Sequence, residues 1–303
     1  MLFTPVQGQA TNAVSMQKRF YLISTSHLED RIWFQDEDDF KAAMNMVAVA
    51  AYVCRIKVLN FILMSNHVHF VVQAGAEGAR QFIDYFKLLY SKYMRNKYGL
   101  AKYLRGNTSD IRETSACNES LERAIAYVHM NCVAANICTH PSQYPWGCGS
   151  VFFYPRRSAM GVPLSSLSQR ECIRQIHSNV QLPPDYMLTH EGFINPGSYV
   201  PVSFVENLFR SPKRFQFFLN NSFKAKNRMA MDAMPSFRDH VILSGLSDLC
   251  HSLFRKTAVE ELSDPEKSEM LKQLRFRFSA DLAQLSRVTG IPYPDVCSLV
   301  EAF

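Results

Sequence analysis

Two histidines one residue apart, His67 and His69, are the side chains in this sequence best suited to chemistry. Residues i and i+2 of a β-strand point to the same face, so both imidazoles would project together while Val68 faces the other side. Two imidazoles on one face form half of a metal site. The alternative is a pair of solvent-facing histidines on an edge strand.

A tyrosine and an asparagine form the second element of interest. The stretch Glu119–Val133 predicts a helix capped by Asn118, and Tyr127 and Asn131 lie at i and i+4 on one of its faces. His129 is rotated about 200° away from Tyr127 and is not expected to join them. An amide oxygen is a hard ligand compatible with Mg²⁺ or Mn²⁺, and a phenol beside such an ion could attack a phosphate. The alternative is a buried tyrosine and a helix-ending asparagine.

The elements that must position these residues can be predicted from local patterns. Apolar alternation, helical spacing and turn residues predict, in order, a strand at Phe20–Ser26, a helix at Asp36–Val53, strands at Lys57–Met64 and His67–Gln73, a helix at Arg80–Tyr98 and a short strand within Asn107–Ser115. This order predicts an α+β fold, with a small antiparallel sheet and helices packed against it.

The domain organisation follows from length and composition. A chain of 303 residues predicts about two domains, and a linker-like stretch after Phe153 divides it into 1–154 and 155–303. The second part is predicted to be mostly helical. Residues 278–303 form two short amphipathic helices around Gly290, which fits either a helix-turn-helix motif or a plain helical hairpin.

Composition excludes several classes of protein. With 47% hydrophobic and 20% charged residues, the chain is of ordinary globular composition rather than disordered or coiled-coil. No apolar run reaches the roughly 18–20 residues of a membrane span, and no secretory signal is visible at the N-terminus. The eight cysteines contain no CxxC pair, so reduced thiols and a cytoplasmic location are expected.

Positive charge is concentrated in two stretches, although the net charge is only +6. Residues 80–105 hold seven basic residues and one acid, and residues 210–228 hold six basic residues, no acid and interleaved phenylalanines. Such stretches fit phosphate contacts and base stacking, which makes nucleic acid the leading partner class. The alternative is a solvated helix face whose phenylalanines point into the core. The proposed DNA-contacting residues are Lys87, Lys92, Arg95, Lys97, Lys213, Arg214, Lys224, Lys226 and Arg228.

Three segments of this chain resemble motifs of a known family. LMSNHVHFVV resembles the histidine-hydrophobic-histidine (HUH) motif of single-tyrosine insertion-sequence transposases, and in particular of the REP-associated tyrosine transposases. AYVHMNCVAANI resembles the YIHxNPVxAGL segment of that family, and YPWGCGSVFFY resembles its YPWSSY tail. The resemblance covers roughly residues 18–154, with the motifs in the family's order.

The resemblance implies a fold, a site and a reaction. The fold would be a ferredoxin-like antiparallel sheet with helices, as in HUH nucleases. His67, His69 and Asn131 would hold Mg²⁺ or Mn²⁺, and no other cofactor is implied. Tyr127 would cleave and rejoin single-stranded DNA through a 5′-phosphotyrosine at hairpin-associated sites. Relatives act as monomers or as homodimers.

Other interpretations of the chain stay open. Cys132 and Asn136 stand where the family usually has proline and glycine, so a domesticated, non-cleaving DNA-binding protein is the alternative function. Tyr90 is the competing nucleophile, but Tyr127 is preferred because it has a polar partner at i+4. A zinc hydrolase is disfavoured because HExxH and paired cysteines at zinc spacing are absent from the sequence.

Overall fold

The structure is a computed structural model that describes residues 19–25, 32–117, 119–135, 137–153, 161–230, 239–278, 280 and 282–301. Within these ranges, the side chains of residues 223–230, 240, 244, 276 and 301 are not described.

A four-stranded antiparallel sheet lies at the centre of the first half of the chain. Its strands are β1 (Arg19–Thr25), β2 (Lys57–Met64), β3 (His67–Ala74) and β4 (Ser109–Thr114), in the spatial order β2-β3-β1-β4. With α1 (Glu37–Cys54) and α2 (Ala76–Tyr98), the chain order is β1-α1-β2-β3-α2-β4, which is the order of a ferredoxin-like motif. The predicted α+β class, with an antiparallel sheet and helices, is confirmed.

One face of this sheet is covered by α1 and α2. The Asp36 side chain accepts a hydrogen bond from the backbone N–H of Asp39 and so caps α1, whose acidic first turn suits the helix dipole. From β3, Phe70 packs against Phe82 and Phe86 of α2, with ring centroids 5.1 and 5.4 Å apart. Because side chains alternate along β3, His67 and His69 face the opposite side of the sheet.

The opposite face is covered by α3 (Ser120–His129) and the short α4 (Asn131–Ala134). The predicted helix Glu119–Val133 is therefore broken, because Met130 has a ψ of 4° and the helix restarts after it. Glu119, rather than the predicted Asn118, precedes the first turn of α3, and Asn118 lies outside the described residues.

The second half is mostly helical, as predicted. Its elements are β5 (Val162–Pro163), α5 (Gln169–Ile176), β6 (Met187–Leu188), α6 (Val202–Phe209), α7 (Pro212–Ala230), α8 (Asp239–Phe254), α9 (Asp264–Phe278), α10 (Leu282–Thr289) and α11 (Tyr293–Glu301), with short 3₁₀ segments at 164–166, 196–198 and 259–261. A further 3₁₀ segment at 141–143 belongs to the first half. None of the helices in the described ranges is long and apolar enough to cross a bilayer.

Packing does not follow the predicted boundary at 154. Val49 of α1 shares an apolar core with Leu164 and Ile194, while Phe209 and Phe215 belong to the core around the sheet. Helix α7 packs directly on α3. Residues from α8 to α11 form a further core of their own. The residues between 164 and 219 therefore buttress the helices that carry the candidate site.

Candidate active site

The two histidines of β3 lie side by side on the face covered by α3. Their ring centroids are 4.7 Å apart, and the ring planes are nearly perpendicular at 86°. His67 is 7% exposed and His69 is 4% exposed, which excludes the alternative of two solvent-facing side chains. The spacing in the sequence thus correctly indicated that both imidazoles share a face.

Each imidazole is anchored through its Nδ1 atom. Nδ1 of His67 lies 2.7 Å from Oδ1 of Asn66, to which it donates, and Nδ1 of His69 lies 2.8 Å from Oγ of Ser24. Between the two histidines, the backbone N–H of Val68 donates to Oγ1 of Thr25 over 3.0 Å. Hydrogen bonds of this kind at Nδ1 fix the orientation of a metal-binding histidine and make Nε2 the ligand atom.

Tyr127 reaches this face from α3. Its ring centroid is 5.5 Å from that of His69, and the two ring planes meet at 83°. The tyrosine is half-buried, and burial raises the pKa of its phenol, while the charge of Arg112 acts in the opposite direction. At neutral pH the side chain is therefore a phenol rather than a phenolate.

Asn131 begins the helix that follows the break. Its Nδ2 donates to the carbonyl oxygens of Tyr127, over 2.9 Å, and Val128, over 3.3 Å. Because these bonds occupy the amide nitrogen, Oδ1 is the atom of this side chain that could serve as a metal ligand. The i, i+4 link to Tyr127 is present, but it runs from a side chain to the backbone across two consecutive helices.

The donor set that the sequence suggests is chemically suited to a divalent ion. Two imidazoles and an amide oxygen leave coordination positions open for water or a phosphate. Among the described residues, no group of three or more histidine, cysteine, aspartate or glutamate side chains could hold a metal. The residues fit the ion in donor type and in the anchoring of both rings, and the assignment as ligands stays a prediction.

His129 lies away from this cluster, as its rotation on the helix indicated. Its ring packs against Phe152 and Phe215, and its Nδ1 accepts from Nδ2 of Asn60 over 2.6 Å. Burial lowers the pKa of His129 to about 4, so the ring is neutral at pH 7. It is a core histidine.

Tyr90, the competing nucleophile, is also a core residue. It is fully buried, its hydroxyl donates to the carbonyl of Trp33, and its ring stacks on the Trp33 indole. Burial raises its pKa well above the ordinary value. A strand of DNA could not reach this hydroxyl without unpacking α2.

Two of the predicted DNA-contacting cations of α2 make contacts within the fold. Lys97 contacts Asp36 and Asp39, each at 2.8 Å. Lys87 donates to the carbonyl of Asn107 over 2.9 Å, and burial lowers the pKa of its ammonium to about 8. These contacts stabilise α2, so neither side chain is expected to bind a DNA phosphate.

The basic stretch of α7 also contains both an ion-paired cation and an exposed one. Arg214 contacts Glu119 at 2.9 Å and Glu122 at 3.6 Å, and so joins α7 to α3. Phe215 and Phe218 are buried and Phe217 is exposed, so the alternative of core-facing phenylalanines holds for two of the three whose side chains the structure describes. Lys92, Arg95 and Lys213 are exposed, and the side chains of Lys224, Lys226 and Arg228 lie outside the description.

The last two helices form the compact pair that the sequence suggested. On α11, Tyr293, Asp295 and Ser298 are exposed, and the groove beside them is lined by Glu260, Asp264 and Lys267. The helix-turn-helix motif and the plain helical hairpin both stay predictions.

Several residues around the site were missed by sequence reasoning. Ser24 and Asn66 anchor the histidines, and Asp110 and Arg112 of β4 lie across the sheet from them. Asn66 was adjacent to the motif and could have been identified as a partner. Ser24 could not, because its position depends on the register between β1 and β3.

No family model and no curated protein matches this chain. Among solved structures, it is similar to a REP-associated tyrosine transposase bound to a REP hairpin, with 10% sequence identity and a TM-score of 0.34. The similarity covers 58% of this chain and 97% of that chain.

Proposed function

We propose that this protein is a metal-dependent single-strand DNA transesterase with Tyr127 as its nucleophile. The observation that carries the proposal is the contact series His67–His69–Tyr127, in which the ring centroids are separated by 4.7 and then 5.5 Å. A phenol packed against one of two anchored imidazoles is the arrangement such chemistry needs. The motif resemblance of residues 18–154 supports the same reaction.

The proposed reaction exchanges one phosphate ester for another. The Tyr127 Oη attacks a backbone phosphorus, the bond from phosphorus to the 3′-oxygen breaks, and the phenolic proton ends on that oxygen as a 3′-hydroxyl. A 5′-phosphotyrosine remains on the protein. Because the ester is retained, a 3′-hydroxyl of another strand can reverse the step and rejoin the DNA.

The side chains around Tyr127 have separate tasks in this proposal. His67, His69 and Asn131 would hold Mg²⁺ or Mn²⁺, which when bound supplies positive charge to the phosphate. Half-burial of Tyr127 between α3 and the sheet limits the access of water, which favours transfer to tyrosine over hydrolysis. The raised pKa of the phenol keeps Tyr127 protonated until a phosphate is in place.

The proposed substrate is a DNA hairpin with a single-stranded flank, bound by a monomer or a homodimer. Exposed cations on α2 and α7, among them Lys92, Arg95 and Lys213, would contact the DNA backbone. Lys87, Lys97 and Arg214, which are already hydrogen-bonded or ion-paired within the fold, would not take part.

Chelation separates the proposed enzyme from a DNA-binding protein that does not cleave. The full chain is incubated with Mn²⁺ and a labelled library of hairpins with randomised flanks, and covalent adducts are resolved on a denaturing gel. We expect adducts that EDTA abolishes, with hairpin binding retained in a mobility-shift assay. Binding without any adduct in Mn²⁺ or Mg²⁺ would contradict the proposal and favour the domesticated binder.

A further inference from the structure

The register of the sheet brings two residues of β4 to the face that carries the histidines. Ser24 of β1 lies opposite His69 on one side and opposite Asp110 on the other. Leu22, two residues before Ser24 on the same face of β1, lies opposite Arg112. Residues directly opposite one another in antiparallel strands point to the same face, so Asp110 and Arg112 share the face of His69 and Tyr127. Two strand spacings place β4 about 10 Å from β3.

Arg112 is an exposed cation with a fixed orientation on this face. Its Nε lies 2.6 Å from Oδ2 of Asp110, and its side chain is 76% exposed. Because Asp110 contacts Nε, the two terminal amino groups are the part of the guanidinium that could contact a phosphate. This planar fork matches two oxygens of a phosphate.

Arg112 also lies on a strand that the helix of the nucleophile packs against. Helix α3, which carries Tyr127, packs over β4 as well as over β2 and β3. Tyr127 contacts His69 on the face of the sheet that Arg112 shares. Among the described residues, β4 is one of the two edge strands of the sheet, and its outer side pairs with no further strand, so a strand of DNA could approach it there.

We infer that Arg112 binds the phosphate that Tyr127 attacks, with its terminal amino groups on the non-bridging oxygens. This inference rests on the proposed function and adds a substrate-contacting residue that the sequence motifs do not include. Arg112 neutralises charge on the phosphate from the β4 side, opposite to the imidazoles of β3. No bond to Arg112 is made or broken in the reaction.

The test compares three variants of the full chain. Arg112→Gln removes the charge, and Arg112→Lys keeps the charge but loses the planar fork. Arg19→Gln is the matched control, because Arg19 is an exposed arginine of the same sheet, paired with Glu113 at 2.9 Å on the opposite face. Binding to a 30-nucleotide oligothymidine is measured at several salt concentrations in EDTA. Adduct formation is measured separately with Mn²⁺ and the hairpin library.

The inference predicts a specific pattern of results. Arg112→Gln should reduce the slope of log K against log salt by about 0.7, the value for one contact to a single strand, and slow adduct formation about tenfold or more. Arg112→Lys should keep the slope but form adducts more slowly than the wild type, and Arg19→Gln should match the wild type in both assays.

Two results would overturn it, and they are distinguishable from failure of the proposed function. If Arg112→Gln matches Arg19→Gln in slope and in adduct rate while the wild type forms adducts, the inference is wrong and the transesterase proposal survives. If the wild type neither binds the oligothymidine nor forms adducts, both proposals fall.

Discussion

The ring of Tyr127 lies edge-on to the imidazole of His69, with 5.5 Å between the ring centroids. This contact joins α3 to β3 across the face of the sheet that α1 and α2 leave uncovered. Because His69 is itself anchored by Ser24, the position of the phenol depends on three elements that are far apart in sequence.

Ser24 is expected to control metal affinity through His69. Ser24→Ala removes the hydroxyl 2.8 Å from Nδ1 and should weaken Mn²⁺ binding by about 10- to 100-fold, as loss of such partners typically does. Isothermal titration calorimetry on the full chain measures this directly. Ser91→Ala, on α2 at the other face, is the control, and His69→Ala should lose more affinity than Ser24→Ala. Equal affinities for Ser24→Ala and the wild type would show that the serine does not orient a metal ligand.

Arg214 is expected to stabilise the fold rather than bind DNA. Arg214→Ala leaves the buried carboxylate of Glu122 without its cation and should cost about 2 kcal/mol in the free energy of unfolding. Its neighbour Lys213 is exposed, so Lys213→Ala should change stability by less than about 0.5 kcal/mol and instead weaken DNA binding. Urea denaturation and a salt-dependent binding assay on both variants check this. If Lys213→Ala instead destabilised the fold and Arg214→Ala only weakened DNA binding, the α7 surface would be oriented differently.

Lys87 is expected to make the free energy of unfolding depend on pH in the alkaline range. Its pKa is about 8 in the fold because of burial, against 10.5 for the ordinary side chain, so between these values the unfolded chain binds more protons at this site. Stability contributed by Lys87 should therefore rise as pH increases from 8 towards 10.5, and be constant below 8. The free energy of unfolding of the wild type and of Lys87→Met is measured in urea at pH 7, 8 and 9.5. As the pH rises above 8, the difference between them should shift in favour of the wild type. A difference independent of pH would contradict the burial of this ammonium.

Local patterns in the sequence predict much of the site. Alternation along β3 is enough to place His67 and His69 on one face, and helical rotation is enough to separate His129 from Tyr127. The order of strands and helices gives the α+β class. These features depend on neighbouring residues only, so a single sequence contains them.

The remaining features depend on register and on contacts between distant segments. Ser24 meets His69, and Lys97 meets Asp36, only because the chain has folded. The break at Met130 is of the same kind, because the residues around it are compatible with a continuous helix. There, the Asn131 side chain bonds to carbonyls of the preceding turn, which competes with a regular helical hydrogen-bond pattern.

The central claim is tested most directly by a pair of tyrosine variants in the adduct assay. Tyr127→Phe keeps the ring against His69 and removes only the oxygen, so the fold should lose about 1 kcal/mol at most. Circular dichroism and urea denaturation verify that both variants are folded, since Tyr90→Phe loses a buried hydrogen bond to Trp33. With Mn²⁺ and the hairpin library, we expect no covalent adduct from Tyr127→Phe and wild-type adducts from folded Tyr90→Phe. Adducts from Tyr127→Phe, or their loss only in folded Tyr90→Phe, would contradict the assignment of Tyr127 as the nucleophile.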